Sequence, residues 1–531
     1  MKELVYHRLL LPTVERFADR PAFFDGEYRA TFSQHLDRVA RLSSGLRDLG
    51  VRPDDRFAVM ALNGHQFLEC YHAAFLGAGV INPLNLRLAP KELEYILADS
   101  ETKVCFTDQF FAPVIDKVRE AVGIEHVVMI GDGDAPHDVR YEDLLASATP
   151  RIPDEPEEGD AAVLMYTGGT TGLPKGVLLD HRAEMLNLYH VMQVWRFSSD
   201  DVFLHQTPMF HAASMGGMLG VPAQGGTSVF LSLFDPGRAL ELCEKYSITQ
   251  TVMVPTMIGM LLNHPEFRPE RLASLDTLTY GASPMPAALL DQLLASFPDL
   301  DVFQGYGMTE SSAVATMNRP GARRLGTVGK PLPGVEATLA GDGELLVRGR
   351  LVMRGYRNKP ETTVEAVDPD GWLHTGDIAE IDADGFVKII DRKKELIINA
   401  AGKNMSPANI EAAIKSGSSL VGVAVTIGDA RPFNTALIVL EPESARAYAR
   451  EHAIEHSSLD DLAADERIRA EVAAGIERAN AKLSRVEQIK KHALLPGEWI
   501  PGGDELTPTL KLKRKPIAAK YAEVIEAMYA R

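Results

Sequence analysis

Apolar positions recur at helical spacing in "TFSQHLDRVARLSSGLRDLG", where Leu36, Val39, Ala40, Leu42 and Leu46 share one face and Gly50 stands ready to close the helix. "RFAVMAL" follows as an uninterrupted apolar run, which predicts a buried strand. The helical "HQFLECYHAAFLGAG", the strand "VINPLN", the helical "PKELEYILADS" and the strand "KVCFT" come next. Helix and strand in alternation predict α/β units around a largely parallel sheet. Residues 148–160, "ATPRIPDEPEEGD", carry no apolar period and read as an acidic, proline-rich connector. Around 325–390 the texture changes to short strands punctuated by glycine, as in "GELLVRG" and "HTGDIAEIDADGFVKII", which predicts a small antiparallel β region. Beyond Asp391 the pattern is mixed α/β again, and helix dominates 459–484.

Composition narrows the class of protein. A chain of 531 residues is too long for one ordinary core and predicts roughly two to four domains or subdomains. With 45% hydrophobic and 24% charged residues it reads as a soluble globular protein. A formal net charge of -18 disfavours nucleic acid as the main partner, because phosphate contacts need a basic face. Cys70, Cys105 and Cys243 have no paired spacing, which argues against a disulfide framework or zinc site and fits a reducing cytoplasm. The opening "MKELVYHRLLLPTVERF" is interrupted by Pro12, Glu15 and Arg16, so it does not read as a signal peptide. No uncharged apolar run reaches about 18 residues, so no membrane span is expected. Peripheral membrane contact and a homodimer stay open at this point.

The stretch richest in chemistry is "AAVLMYTGGTTGLPKGVLLDHR", residues 161–182. An apolar strand enters Thr167, Gly168, Gly169, Thr170, Thr171 and Gly172, and Lys175 follows Pro174. Glycines let the backbone approach a ligand, and successive N–H groups with threonine hydroxyls can ring an anion to which Lys175 adds a point charge. The motif is neither a Walker A loop, since Gly-Lys-Ser/Thr never occurs, nor a G-x-G-x-x-G fingerprint.

"YTGGTTGLPKGV" resembles the phosphate-binding signature of the adenylate-forming superfamily, which holds acyl-CoA synthetases, peptide-synthetase adenylation domains and firefly-type luciferases. The other family motifs appear in family order: "PMFH", "YGAS", "QGYGMTE", "GTVGKPLPG", "GELLVRG", "GWLHTGDIAEIDADGFVKIIDRKKELI" and "LTPTLKLKR". They span about 155–515, with the N-terminal part matched by texture alone. The resemblance implies an α/β fold: a large N-terminal domain of two stacked α/β subdomains with a small β-barrel, 1–391, and a small mobile α+β domain, 392–531. It also implies a two-step reaction. A carboxylate attacks the α-phosphate of ATP to give acyl-AMP and pyrophosphate, and the thiol of coenzyme A then displaces AMP, with Mg²⁺ and lysines neutralising the phosphate oxygens.

Residue by residue, the resemblance implies that 167–175 hold the β- and γ-phosphates. Gly281, Ala282 and Ser283 line the adenine site with Tyr306 against the ring. Thr309 contacts the α-phosphate, and Glu310 ligates Mg²⁺ with Thr167 beside it. Asp377 and Arg392 meet the ribose hydroxyls, Lys394 sits at the hinge, and His211 lies beside the acyl carboxylate and thiol tunnel. Gly402 and Lys403 would line the pantetheine tunnel, although "AAGK" replaces the family's double glycine there. The last family motif lays Lys511 on the catalytic position, bridging carboxylate and α-phosphate. Lys513, Arg514 and Lys515 are left between a solvated face and contacts to CoA phosphates.

The acid is less legible. "SMGGMLGVP" and "TVMVPTMIGM" are apolar, and Met215, Gly216, Met253, Met257, Ala282 and Met308 are the candidate acyl wall of a medium- or long-chain fatty acid. Asp235 keeps an amino-acid reading open, although "FDP" also fits a helix N-cap. Only "VEATLAGD" separates Gly334 from "GELLVRG", so the insertion typical of ligases that deliver acyl-AMP to a carrier protein is missing, which favours CoA. An acyl-AMP ligase serving a carrier protein, an amino- or aryl-acid adenylating enzyme and a non-catalytic nucleotide-binding homologue are the alternatives.

Overall fold

A computed structural model of the chain describes residues 4–169, 172–283, 285–399, 404–500, 503–506 and 512–530. The alternation read from the first third is realised, and its local causes are visible. The first long helix, Phe32–Asp48, starts on Thr31, whose hydroxyl accepts from Gln34 N while the Gln34 side chain accepts from Thr31 N. This reciprocal cap satisfies two otherwise orphaned donors. At the other end Gly50 takes φ +87°, the left-handed conformation a helix exit favours.

Among the described residues the large unit holds two large sheets. One has nine strands in the spatial order Lys330–Pro331, Thr316–Asn318, Asp301–Tyr306, Thr277–Gly281, Gln250–Met253, Val202–His205, Thr227–Phe230, Pro21–Asp25 and Tyr28–Thr31. The other has eight, from Gly355–Tyr356 through Gly172–Asp180, Ala161–Gly169, Val80–Pro83, Arg56–Met60, Val104–Asp108 and His126–Ile130 to Val139–Arg140. Their centres are parallel, as expected, and both carry antiparallel edges. One core cluster joins residues of both sheets, with Phe23 and Phe230 from one and Phe57, Ile81 and Val163 from the other. The helix His65–Phe75 is buried on nearly every face, which explains why "FLECYHAAF" is apolar all round.

The chain divides into two compact units. The first comprises Met1–Ala340, Leu345–Thr375 and Ile381–Lys388. The second comprises Gly341–Glu344, Gly376–Glu380 and Ile389–Arg531. The second unit has its own core and a three-stranded sheet, Val421–Ile427, Asn434–Leu440 and Ile489–Leu495, packed with the helices Pro407–Gly417 and Glu466–Asn480.

Two regions differ from the sequence reading. The glycine-rich motif is not a loop following a strand: the strand runs on through Gly169, and Gly172–Asp180 returns antiparallel with Thr167 opposite Lys175 and Tyr166 opposite Gly176. Cross-strand packing explains the extension, because the Tyr166 ring covers Gly176 so closely that a Cβ there would meet it at 2.9 Å. The turn residues Thr170 and Thr171 lie outside the described residues. The glycine-punctuated region around 325–390 does contain a four-stranded sheet, Glu336–Leu339, Glu344–Arg348, Trp372–Ile381 and Val387–Arg392. However, Lys330–Pro331 joins the nine-stranded sheet, Gly355–Tyr356 the eight-stranded one, and the helix Pro360–Ala366 intervenes before Trp372–Ile381. The residues 340–343 close a tight antiparallel hairpin, Glu336 opposite Arg348 and Leu339 opposite Leu345, with no inserted segment.

Candidate active site

Two parallel strands carry the adenine candidates to one edge. Thr277–Gly281 and Asp301–Tyr306 run side by side with Gly281 opposite Gly305. A Cβ on Gly281 would stand 2.6 Å from the Gly305 carbonyl oxygen, so only glycine lets the strand ends close. Ala282 follows at φ +65°, and Ala282 and Ser283 are exposed. Tyr306 is half-buried at the end of the neighbouring strand, and the chain turns there into a single 3₁₀ turn, Thr309–Ser311. Gly281, Ala282, Ser283, Tyr306, Met308, Thr309 and Glu310 are thereby gathered at the carboxyl ends of parallel strands, where α/β sheets bind ligands.

Glu310 is only 5% exposed. Its carboxylate accepts a hydrogen bond from the Tyr356 hydroxyl at 2.8 Å, and the same hydroxyl accepts from Lys175 Nζ, also at 2.8 Å. The ammonium lies 4.0 Å from the centre of the Tyr356 ring, adding a cation–π contact. Lys175 and Glu310 are thus joined through a tyrosine that the sequence reading missed. Burial, followed by the Glu310 charge, pushes the Tyr356 phenol far above its ordinary range, so it stays a neutral donor. The hairpin supplies Lys175, and Thr167 lies beside it, its hydroxyl 3.5 Å from the Lys175 carbonyl. A buried carboxylate is a hard oxygen ligand suited to Mg²⁺, and the nearby ammonium suits phosphate oxygens.

The first unit holds a second buried carboxyl that the sequence did not signal. Glu184, on the helix His181–Val194, is 3% exposed, and its Oε1 has no hydrogen-bond partner. Burial pushes its pKa up to about 8. Its neighbour Ser312 donates to the Leu351 carbonyl at 2.8 Å. The serine's one proton is therefore committed, and a protonated Glu184 is the form that can donate to it.

His211 is exposed, and its Nδ1 accepts from Ala213 N at 3.2 Å. The preceding segment is braced from the helix side, since Tyr71 donates to the Met209 carbonyl and Met209 N donates to the Asn63 side chain.

The buried methionines of the candidate acyl wall fall in two core clusters. Met215 is buried in the first core cluster, whereas Met253 and Met257 belong to a separate one. Gly217 and Gly220, next to Gly216, face Phe203 and Phe197 at distances that leave no room for a Cβ, 2.6 and 2.5 Å. The small residues of "SMGGMLGVP" therefore admit aromatic rings into the core. Asp235 is a helix cap: its side chain accepts from Arg238 N at 2.7 Å, with Pro236 opening the helix.

The second unit carries the other candidates. Asp377, 4% exposed, accepts from Arg392 Nε at 2.7 Å, so the two ribose candidates form one pair. Beside them Lys393 bridges Asp342 and Glu344 at 2.6 and 2.9 Å, and Lys394 is exposed. Gly402, Lys403 and Lys511 lie outside the described residues. Arg514 corrects the sequence reading, being neither a solvated charge nor free to meet CoA. It holds Glu411 with two hydrogen bonds, 2.7 and 2.9 Å, and also reaches Glu395. Burial raises the Glu411 pKa and the arginine opposes that shift, the pattern of a structural ion pair. Lys513 donates to the Gly503 carbonyl, and Lys515 is exposed.

The chain matches the AMP-binding enzyme family over residues 11–357 and the AMP-binding enzyme C-terminal domain over 394–531. It is 39% identical over 459 residues to a Mycobacterium tuberculosis protein named as a fatty-acid–CoA ligase, FadD11, an alignment covering 75% of this chain and 79% of that one. A feruloyl-CoA synthase of an Amycolatopsis species is 37% identical over 396 residues, covering 72% and 77%. Among solved structures, ATP-bound MatB from Rhodopseudomonas palustris has a TM-score of 0.81 at 25% identity, covering 99% of this chain and 100% of that one. With both family domains present in order over most of its length, the chain belongs to the AMP-binding enzymes and is an AMP-forming acyl-CoA synthetase using ATP, Mg²⁺ and CoA.

Proposed function

We propose that the protein converts a medium- or long-chain fatty acid to its CoA thioester, with an N-terminal domain of residues 1–391 binding ATP and acid and residues 392–531 supplying the catalytic lysine. The observation that carries the residue assignment is the Lys175–Tyr356–Glu310 chain of hydrogen bonds, which puts a cation and a carboxylate side by side next to the adenine-site strand ends. Lys175 and the hairpin hold the β- and γ-phosphates, and Thr309 meets the α-phosphate. Glu310, with Thr167, would hold Mg²⁺, which when bound withdraws charge from the phosphate oxygens. Asp377 and Arg392 hold the ribose, and Lys394 is the hinge. Lys511 bridges the attacking carboxylate and the α-phosphate, while Gly402 and Lys403 line the thiol path.

His211 orders the acyl carboxylate rather than deprotonating it, because a carboxylic acid is already ionised at neutral pH. The deprotonated acid attacks phosphorus, the P–O bond to pyrophosphate breaks, and acyl-AMP forms. The CoA thiolate then attacks the acyl carbon and AMP leaves. CoA as the acceptor is supported by the tight 340–343 hairpin, which leaves no room for the carrier-type insertion. A fatty rather than an amino acid is supported by the capping role of Asp235, the one residue that kept an amino-acid substrate in view. Cytoplasmic operation is supported by three cysteines that are all buried and unpaired. No helix among the described residues is long and apolar enough to cross a membrane.

The test is AMP release across saturated acids from C2 to C18 and aromatic acids, with and without CoA. Turnover peaking at C8 or longer and requiring CoA is the expected result. A peak on hydroxycinnamic acids would replace the fatty-acid reading with the aryl one, to which the feruloyl-CoA synthase likeness points. AMP release independent of CoA would replace the acceptor.

A further inference from the structure

We propose that Tyr356 is a positioning residue for nucleotide, an uncharged spacer that holds Lys175 and Glu310 apart and aimed so that phosphates and their cation enter without first separating a direct ion pair. The inference rests on the roles given above to Lys175 and Glu310. An ammonium and a carboxylate free to meet at contact distance attract strongly near a protein surface, so an unspaced pair would close on itself. A phenol suits the gap because its one hydroxyl donates to the carboxylate and accepts from the ammonium, both at 2.8 Å. Its ring lies under the ammonium at 4.0 Å and blocks a shorter route between the charges.

All three groups are set by backbone rather than by side-chain chance. Tyr356 pairs with Val177, two residues along the hairpin strand from Lys175. Its own N–H donates to Thr363 Oγ1 at 2.9 Å, and Gly355 sits so close to Thr363 that a Cβ would meet it at 2.7 Å. The Glu310 carbonyl accepts from Met353 N at 2.9 Å, three residues before the tyrosine. The segment 353–356 therefore ties the turn bearing Glu310 to the strand bearing Lys175, with the phenol between them.

Tyr356→Phe keeps the ring and removes both hydrogen bonds. Hydrogen bonds to charged groups translate into an expected loss of about tenfold or more in affinity for a non-hydrolysable ATP analogue with Mg²⁺, read by calorimetry. The KM for MgATP in acid-dependent ATP–pyrophosphate exchange should rise to a similar extent. The KM for the acid, and CoA thioester formation from supplied acyl-AMP, should stay within twofold. In the Lys175→Ala background Tyr356→Phe should add less than twofold, because the phenol acts through the lysine. Unchanged nucleotide affinity, an equal fall in both half-reactions, or a melting temperature lowered by more than about 5 °C would overturn the proposal, the last by making the role structural. If Lys175→Ala and Glu310→Gln leave nucleotide affinity intact, the underlying site assignment fails. If they abolish it while Tyr356→Phe does not, only the spacer fails.

Discussion

Lys175 and Glu310 carry opposite charges on either side of the Tyr356 hydroxyl, and in the proposed assignment each serves the nucleotide only while the other does not neutralise it. Their loss should therefore be felt in the phosphate step. Lys175→Ala and Glu310→Gln are each expected to lower acid-dependent pyrophosphate exchange by about 10²-fold or more while sparing thioester formation from supplied acyl-AMP. Lys511→Ala should show the same division, and single-turnover assays of the two halves check all three. Asp235 makes the contrasting case. As a cap it contributes roughly 1 kcal/mol, so Asp235→Ala should lower the melting temperature by a few degrees and leave the ranking of acids unchanged. A changed ranking would return Asp235 to the substrate site.

Paired strands, rather than loops, bring the site together. The Gly281–Gly305 approach is one such contact at the strand ends, and a methyl at 281 meets a backbone carbonyl that cannot rotate aside. Gly281→Ala is expected to destabilise the first unit by about 1–3 kcal/mol and to weaken ATP binding, read by urea unfolding and calorimetry. Sequence legibility follows the same geometry. Thr167 with Lys175, and Thr309 with Glu310, were readable because a few residues of contiguous chain carry both members of each pair. Tyr356 was not, since it lies 46 residues from Glu310 and 181 from Lys175, and only the short strand Gly355–Tyr356 joins them. Glu184 gave no signal because a carboxyl on a helix reads as surface until its burial is known. The acyl wall was hard to read for a related reason: glycines and methionines mark packing as readily as a pocket, and Phe203 and Phe197 fill the space beside Gly217 and Gly220. Arg514 looked solvated because its partner, Glu411, is 103 residues away.

At the scale of the molecule, buried ionisable groups set two limits on stability, and both sets lie in the first unit. Burial lowers His72 and His181 to about 4 and His205 to about 3, against an ordinary value of 6.5. Their contribution is present above about 6.5 and is lost as pH falls through about 4. Glu184, raised by burial from 4.5 to about 8, works in the opposite sense: its contribution is present below 4.5 and is lost as pH rises through about 8. Glu184→Gln should therefore raise the melting temperature more at pH 8.5 than at pH 5. An equal gain at both, read by differential scanning fluorimetry, would show that the carboxyl is not the cause.

Cys70, Cys105 and Cys243 are all buried, and burial pushes each thiol upward, Cys105 and Cys243 to about 12. To a maleimide dye the native chain is then silent without any residue being removed. Cysteines introduced at Met260 in the first unit and Val486 in the second, 53% and 47% exposed, would be its only reactive sites, so energy transfer between two fluorophores could follow the two units through each half-reaction in an otherwise unaltered enzyme.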